Sequence, residues 1–517
     1  MVDNAESGLA VVDVLIVGGG INGAGVALDA AGRGLSVALC EKGDLGGATS
    51  SSSSKLIHGG LRYLEQYEFR LVKEALAERE VLLAKAPHIM WPLRFRLPHQ
   101  KHLRPAWMIR TGLFLYDSLA KRNVLPRSKK LSVGKESPLS DEITTCFEYS
   151  DGWVDDARLV VLNAMAAQDK GAQIHVRTEV VSAEKGDKYW TVTLRNEREE
   201  TFKVLAKSIV NAAGPWAISF LCRVSGIKNP NAMRLVKGSH FIVPKLYDTD
   251  EAYILQNEDG RIVFVIPYED DFSLVGTTDE NYTGDPRAAS ISQEETDYLI
   301  TITNKYFKTK ITVKDIVHSY SGVRPLLEEE NASAQELTRD YKFELKGREG
   351  EPALLNIFGG KITTYRKLAE HAVNKLCEVF SDAGDAWTKQ VPLPGGEFAS
   401  KQQLTDELNQ AFPWLSDKQV QRFVRQYGKL CYVFLQGKSS VSELGQDFGS
   451  GMHQAEVDYL IEHEWARTLE DVIWRRTKQG LRLSEAQKAN LEQYIVEKVS
   501  TMTSQISDSV SDVKAVS

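Results

Sequence analysis

Three glycines spaced G-x-G-x-x-G (Gly18, Gly20 and Gly23), with Glu41 some twenty residues on, carry the clearest chemistry in the sequence. That spacing suits a dinucleotide. Gly18 makes a tight turn, Gly20 lets the backbone approach a pyrophosphate, and Gly23 lets a helix pack closely on a strand. A helix starting there offers unpaired N–H groups and a partial positive charge to the phosphates. Glu41 has oxygens for two ribose hydroxyls, and its charge repels a 2′-phosphate. A tight turn with no ligand is the plain alternative, and the glycines alone do not separate FAD from NAD.

The elements that would hold these residues are legible. VVDVLIVGGG is a β-branched apolar run ending in glycines, which predicts a buried parallel strand. INGAGVALDAAGRG then predicts a helix and LSVALCE a second strand, giving one strand–helix–strand unit over residues 12–41. The chain returns to this unit twice. FKVLAKSIVNAAGPWA reads as a strand emptying into Ala-Ala-Gly-Pro, and ALLNIFGGKITTYRKLAEHAVNKL as strand, Gly359-Gly360 turn and helix. Such returns suit a long cofactor lying across several strand ends, which favours flavin. A helix starting near Lys361 would stabilise the negative charge of a reduced ring; a helix start that needs small residues is the alternative. ATSSSSSKLIHGG has the composition of a linker, yet it follows Glu41 at once and leads into a predicted helix, LRYLEQYEFRLVKEALAEREVLL. A small-residue loop there would let a ring system lie close.

Composition narrows the class. With 517 residues, 42% of them hydrophobic, the chain is long enough for two to four globular domains. The five cysteines are scattered with no C-x-x-C pair, which points to free thiols in a reducing compartment and away from zinc or iron–sulfur sites; no metal is expected. The acidic opening does not resemble a signal peptide, and no apolar run is long enough to span a bilayer, so a cytoplasmic chain is expected. A net charge of −7 argues against nucleic acid as the main partner.

Several long stretches carry a family likeness: GGGINGAGVALDAAGRGLSV, SSKLIHGGLRYLEQYEFRLVKEALAEREVLL, RFRLPHQKHLRPAWMIR, VKGSHFIVP, AYILQNEDGRIVFVIPYED, YSGVRPL and FGGKITTYRKLAEHA. In these the chain resembles the bacterial aerobic FAD-dependent sn-glycerol-3-phosphate dehydrogenases, a branch of the glycine oxidase/D-amino-acid oxidase-like flavoenzymes. The resemblance implies an α/β fold with a Rossmann-like FAD-binding domain (about 11–85, 150–225 and 340–393) interleaved with an antiparallel-sheet substrate domain (about 86–149 and 226–339). RIVFVIPY and FSLVGTTD, flanking EDD, form a predicted hairpin of that sheet. Residues 394–517 read as a mostly helical C-terminal domain with a disordered tail. Beside the motif glycines and Glu41, the resemblance implies flavin contact at Asn22, Thr49, Ser50, Ser54, Lys55, Leu56, His58, Gly214, Gly360, Ile362 and Thr363. Gly46 and Gly47 in the loop argue against covalent attachment there.

The resemblance also implies a substrate with a phosphate and a secondary alcohol, glycerol 3-phosphate, oxidised by hydride transfer to flavin N5. Arg62, Arg324, Arg339 and Lys361 are the expected anion partners, with Tyr63 and Thr278 beside them; guanidinium forks suit phosphate, and lysine acts as a point charge. For any one arginine, an ordinary ion pair is the alternative. His240, placed as a loop-to-strand residue, is the candidate general base, since an ordinary histidine titrates near working pH. A core histidine bonded to backbone is the competing reading. Arg324 stays protonated, so it suits stabilisation of the developing alkoxide or the phosphate; His58 and Thr278 are secondary candidates.

Residues 94–130 hold ten Lys/Arg against one acid, Asp117, interleaved with Trp107, Met108 and Phe114. Such a stretch can lie on an anionic membrane or be a solvated face with a buried stripe. The resemblance implies the former: a peripheral enzyme on the inner face of the cell membrane that reduces quinone, with a homodimer left open. Competing readings are an oxidase of the same fold that uses dioxygen, a non-catalytic flavin-binding subunit and, less well supported, an amine oxidase.

Overall fold

The computed structural model describes residues 9–64, 67–121, 125–223, 226, 233–327 and 340–515, without the side chains of Arg62, Leu327 and residues 503–515. The chain divides into two compact units, Met1–Val391 and Pro392–Ser517.

In the first unit, Val11–Val17 lies inside an eight-stranded sheet, parallel to Val37–Glu41 on one side and Thr201–Asn211 on the other. Gln173–Val176 and Ala353–Gly359 extend the parallel set at either side. These strands are apolar runs because both faces are covered. The helices Ile21–Gly32, Asp156–Asp169 and Tyr365–Leu376 pack together, and the hairpin Glu179–Lys185/Trp190–Arg195 contributes Val192 and Leu194 to a core with Leu15 and Ile209. Parallel strands share one direction, so Gly18, Glu41, Ala212 and Gly360 all emerge at their carboxyl ends, where an open α/β sheet binds its ligand. The strand–helix–strand unit and both returns of the chain to it are as the sequence predicts.

A second, ten-stranded sheet contains the hairpin Ile262–Tyr268/Phe272–Gly276, turned at Glu269–Asp271 as expected. Beside it, Met233–Pro244 pairs antiparallel with Phe272–Gly276 and with His318–Leu327. His240 therefore lies inside a twelve-residue strand and not at a loop-to-strand boundary. The helix expected from Leu61 also differs: Leu61–Leu64 is a 3₁₀ turn and the α-helix is Phe69–Lys85. Positive φ at Gly60 and Tyr67 interrupts helical geometry there.

The second unit packs the helices Lys401–Ala411, Asp417–Gln426, Gln454–His463 and Glu485–Ala515 around Leu404, Phe423, Tyr427, Leu460 and Ile495. The tail expected to be disordered continues the last helix to Ala515. All five cysteines are free thiols. Among the described residues, no helix is long and apolar enough to cross a membrane, and no cluster of His, Cys, Asp or Glu is arranged to hold a metal.

Candidate active site

The glycine turn is built by close approach. Gly18 has φ +108°, and a Cβ on it would lie 2.6 Å from the Ala212 carbonyl oxygen. A Cβ on Gly23 would sit 1.9 Å from the Gly18 carbonyl oxygen, so helix and turn meet only because Gly23 has no side chain. At Gly20 the sole near neighbour would be Ser50 Oγ, at 3.0 Å, which leaves the helix N-terminus open to a phosphate. Asn22 donates from Nδ2 to the Gly359 carbonyl at 3.2 Å, tying this turn to the Gly359–Lys361 turn, while its buried Oδ1 has no hydrogen-bond partner. An open helix N-terminus, a cradle that side chains would fill and an orphaned buried acceptor fit a bound FAD.

Glu41 accepts the Gly19 N–H on Oε2 and the Gly43 N–H on Oε1, both at 2.7 Å. Burial pushes its carboxyl up and the two N–H bonds oppose this. Each oxygen keeps a lone pair for a ribose hydroxyl. Gly19 was not singled out in the sequence, yet a Cβ on it would meet Glu41 Cβ at 2.7 Å.

The serine-rich loop is a junction between the two sheets. Ser50 Oγ accepts the Ile21 N–H at 3.0 Å, at the start of the dinucleotide helix. Thr49 Oγ1 donates to the Val323 carbonyl at 2.6 Å, Tyr320 Oη donates to the Ser53 carbonyl at 2.8 Å, and Ser54 Oγ lies 2.9 Å from His240 Nε2. Lys55 has its ammonium committed to the buried Asp156 carboxylate, at 2.8 and 2.9 Å, and to the Ser51 carbonyl. Leu56 is buried in the short strand Leu56–Ile57, opposite Trp153.

One sheet face gathers the candidate catalytic groups. His240 is 2% exposed, stacks on Tyr320 with centroids 5.0 Å apart, and has no hydrogen bond at Nδ1. Burial first, then the Lys55 and Arg324 cations, hold its imidazole well below the ordinary range, so it is neutral with a lone pair to offer. Arg324 pairs with Asp279 and donates from Nη2 to Thr277 Oγ1 and the Thr278 carbonyl, each at 3.1 Å. Thr278 keeps its hydroxyl for Glu295, at 2.6 Å, and accepts the Ser239 N–H. Its carbonyl therefore serves Arg324 while its side chain braces the sheet. Two glycines outside the expected site residues make room for these groups. A Cβ on Gly238 would lie 2.0 Å from Arg324 Nη2, and one on Gly276 would lie 2.1 Å from His240 Cδ2.

A second set is joined to the first through residues 54–63. Lys361 Nζ lies 3.7 Å from the Tyr63 ring centroid, and the His58 N–H donates to Thr363 Oγ1 at 3.2 Å. Ile362 and Thr363 open the 3₁₀ turn before the helix Tyr365–Leu376, and Gly360 has φ +101°. Gly214 begins the turn after Thr201–Asn211 with φ +53°. Arg339 and the Arg62 side chain lie outside the described residues.

The basic stretch divides in two. Arg94, Arg96 and Lys129 pair with Glu148, and Arg96 also with Glu251. The helix Ala106–Ser118 exposes Trp107 (68%) and Phe114 (60%).

Comparison with known proteins places the chain in a family. Residues 13–366 match the family described as FAD dependent oxidoreductase, and residues 386–502 match the C-terminal domain of alpha-glycerophosphate oxidase. A glycerol-3-phosphate dehydrogenase of Pseudomonas aeruginosa is 55% identical, over 94% of this chain and 95% of its own. A D-erythritol 1-phosphate dehydrogenase of Brucella abortus is 50% identical, over 92% and 96%. Among solved structures, the FAD complex of the Bacillus halodurans glycerol-3-phosphate dehydrogenase superposes with a TM-score of 0.74 at 26% identity, covering 95% of this chain and 91% of that one.

Proposed function

The chain belongs to the FAD-dependent oxidoreductase family, and from that premise we propose that it oxidises sn-glycerol 3-phosphate to dihydroxyacetone phosphate and passes the electrons to a membrane quinone. One observation carries the reading of the site. Ser50 touches the first N–H of the dinucleotide helix, and Ser54, four residues on, touches His240. A neutral imidazole beside a cation thus stands one loop away from the flavin site.

When bound, FAD supplies the hydride acceptor at N5. Gly18, Gly20, Gly23 and Glu41 would hold its adenine end, and the serine loop with Gly360 to Thr363 would hold the rest. The eight-stranded sheet is then the flavin-binding part and the ten-stranded sheet the substrate-binding part, interleaved along the chain. His240 takes the proton of the C2 hydroxyl, because its lone pair is free at working pH. Arg324, held by Asp279 and the Thr278 carbonyl, stabilises the alkoxide that develops as the proton leaves. Lys361 over Tyr63, with Arg62 and Arg339, meets the phosphate. The exposed aromatics and cations of residues 94–130 support a seat on the inner face of the cell membrane, where quinone is reached.

The 50% identity to the D-erythritol enzyme favours a second reading, a longer polyol phosphate. Anaerobic addition of glycerol 3-phosphate, D-erythritol 1-phosphate or glycerol, read as flavin bleaching near ~450 nm, separates them. Fast bleaching by glycerol 3-phosphate alone supports the proposal; bleaching by the erythritol ester alone replaces its substrate. If no phosphate ester bleaches the flavin, both fall. Supplying quinone or dioxygen to the reduced protein then distinguishes a dehydrogenase from a peroxide-releasing oxidase.

A further inference from the structure

The helix Ala106–Ser118 is attached to its unit along a narrow stripe: only Leu113 and Tyr116 are buried. Tyr116 is fully buried, and its hydroxyl is the polar end of that attachment. It donates to the Asp151 carboxylate, 2.8 Å from either oxygen, and accepts the Gly59 N–H at 2.9 Å. Asp151 is fixed from behind by Arg79 at 2.6 Å, and both are 1% exposed. The turn rests directly on the phenol, since a Cβ on Gly59 would lie 2.6 Å from the Tyr116 hydroxyl oxygen.

This turn leads into the anion site. Gly60 follows with φ +75°, and a Cβ there would lie 2.2 Å from the Tyr63 ring, over which Lys361 sits. The far side of the turn is clamped by the His58 N–H on Thr363. The helix also packs against Leu61–Leu64. Tyr116, Gly59, Gly60 and Tyr63 thus form a continuous run of contacts that ends at the ring beneath Lys361.

The other flank of the helix is apolar and uncovered, with Trp107, Met108, Phe114 and Leu115 exposed. Around it in sequence, Lys101, Lys121, Arg127 and Lys130 are exposed and make no ion pair among the described residues. Aromatic side chains with unpaired cations, in a chain of net charge −7, match an anionic lipid surface.

We propose that Tyr116 is a positioning residue that transmits docking of this helix on an anionic lipid surface to the turn holding Tyr63. The inference rests on the reading of Tyr63 and Lys361 as phosphate-site residues. Docking the exposed flank restrains the helix, Tyr116 then holds Gly59 in place, and the anion site is ordered before substrate arrives. No bond is made or broken; the effect lies in substrate binding.

The test uses the FAD-loaded protein with vesicles of phosphatidylglycerol and phosphatidylcholine. Hydrogen exchange is followed over residues 56–64, and KM for glycerol 3-phosphate is measured with a soluble acceptor. Vesicles are expected to slow exchange in the turn about tenfold and to lower KM with little change in kcat. Tyr116→Phe keeps the ring and drops the hydroxyl; it should still sediment with vesicles while neither exchange nor KM responds. A response equal to that of the unaltered protein overturns the proposal, as does an unaltered protein that ignores anionic vesicles. Should Tyr116→Phe not fold, the surface pair Trp107→Gln with Phe114→Gln must abolish the response, and a response that persists is equally fatal. If glycerol 3-phosphate leaves the flavin spectrum and the turn unchanged while the lipid effect on exchange is intact, the substrate reading fails and the coupling through Tyr116 stands.

Discussion

Gly238 offers the sharpest test of the catalytic face, because a single methyl group placed there crowds Arg324 and the two groups that aim it. The Cβ of Gly238→Ala would lie 2.0 Å from Arg324 Nη2, 2.7 Å from Thr277 Oγ1 and 3.0 Å from the Thr278 carbonyl oxygen. Van der Waals contact needs about 3.4 Å, so the guanidinium must withdraw by about 1.4 Å. It then leaves the two 3.1 Å bonds that aim it, while its pairing with Asp279 can persist. A displacement of this size in a charge-stabilising group costs about 100-fold in rate, or ~2.7 kcal/mol of transition-state stabilisation. The measurement is the rate of anaerobic flavin reduction at saturating and limiting glycerol 3-phosphate. Flavin content and unfolding midpoint serve as controls, since Gly238 lies outside the FAD turn. The companion Gly276→Ala places its Cβ 2.1 Å from His240 Cδ2 and should impair proton removal in the same assay. If Gly238→Ala reduces the flavin at the unaltered rate, Arg324 is not the alkoxide-stabilising group.

Three further outcomes follow from the same contacts. Gly23→Ala drives a Cβ to 1.9 Å from the Gly18 carbonyl oxygen, so the purified protein should be colourless after gel filtration; retained yellow colour contradicts the close packing of helix and strand. Lys55→Met leaves the Asp156 carboxylate buried without its cation and should cost about 3–5 kcal/mol in denaturant unfolding, whereas a loss under about 1 kcal/mol would make the pair dispensable. His240 gives a pH signature: its folded pKa is lowered from an ordinary 6.5, so below that value the unfolded chain binds a proton that the native state refuses. Its neutral burial therefore costs stability as pH falls from 6.5 towards the folded pKa; His240→Gln should flatten the unfolding midpoint over that window, and an unchanged pH slope would refute neutral burial.

Much of the fold was legible because its signals are local. The β-branched run before Gly18, the glycine spacing and the acid at 41 all fall within one strand–helix–strand unit, and Glu269–Asp271 punctuates a hairpin of alternating residues. Boundaries failed where a local pattern served a distant need. KGSH looked like a loop because glycine weakens a strand, yet Gly238 is there so that Arg324, 86 positions later, has space to cross it. LRYL looked helical by composition, but it forms a 3₁₀ turn that follows a positive φ at Gly60, an angle not written in its side chains.

The serine loop shows why candidate residues are found more readily than their roles. Thr49, Ser50, Ser54 and Lys55 were grouped as flavin contacts, and sequence supplies no means of dividing them. Each has a partner far away in the chain: Val323 for Thr49, Ile21 for Ser50, His240 for Ser54 and Asp156 for Lys55. A short polar side chain can reach any neighbour that folding delivers, so its identity says little about which neighbour that is. Burial then sorts the roles. Lys55 is 2% exposed and its charge answers Asp156, which makes it a fastener of the loop, while Ser54 is half-buried and reaches the His240 imidazole. The same loop binds the first N–H of the dinucleotide helix and the carbonyl beside Arg324. Its run of small residues is therefore a geometric requirement: two sheets must approach within a side chain's length where the proposed cofactor and substrate sites adjoin, and bulk at Ser52, whose Cβ already lies 2.7 Å from where a Cβ on Gly322 would be, would hold them apart.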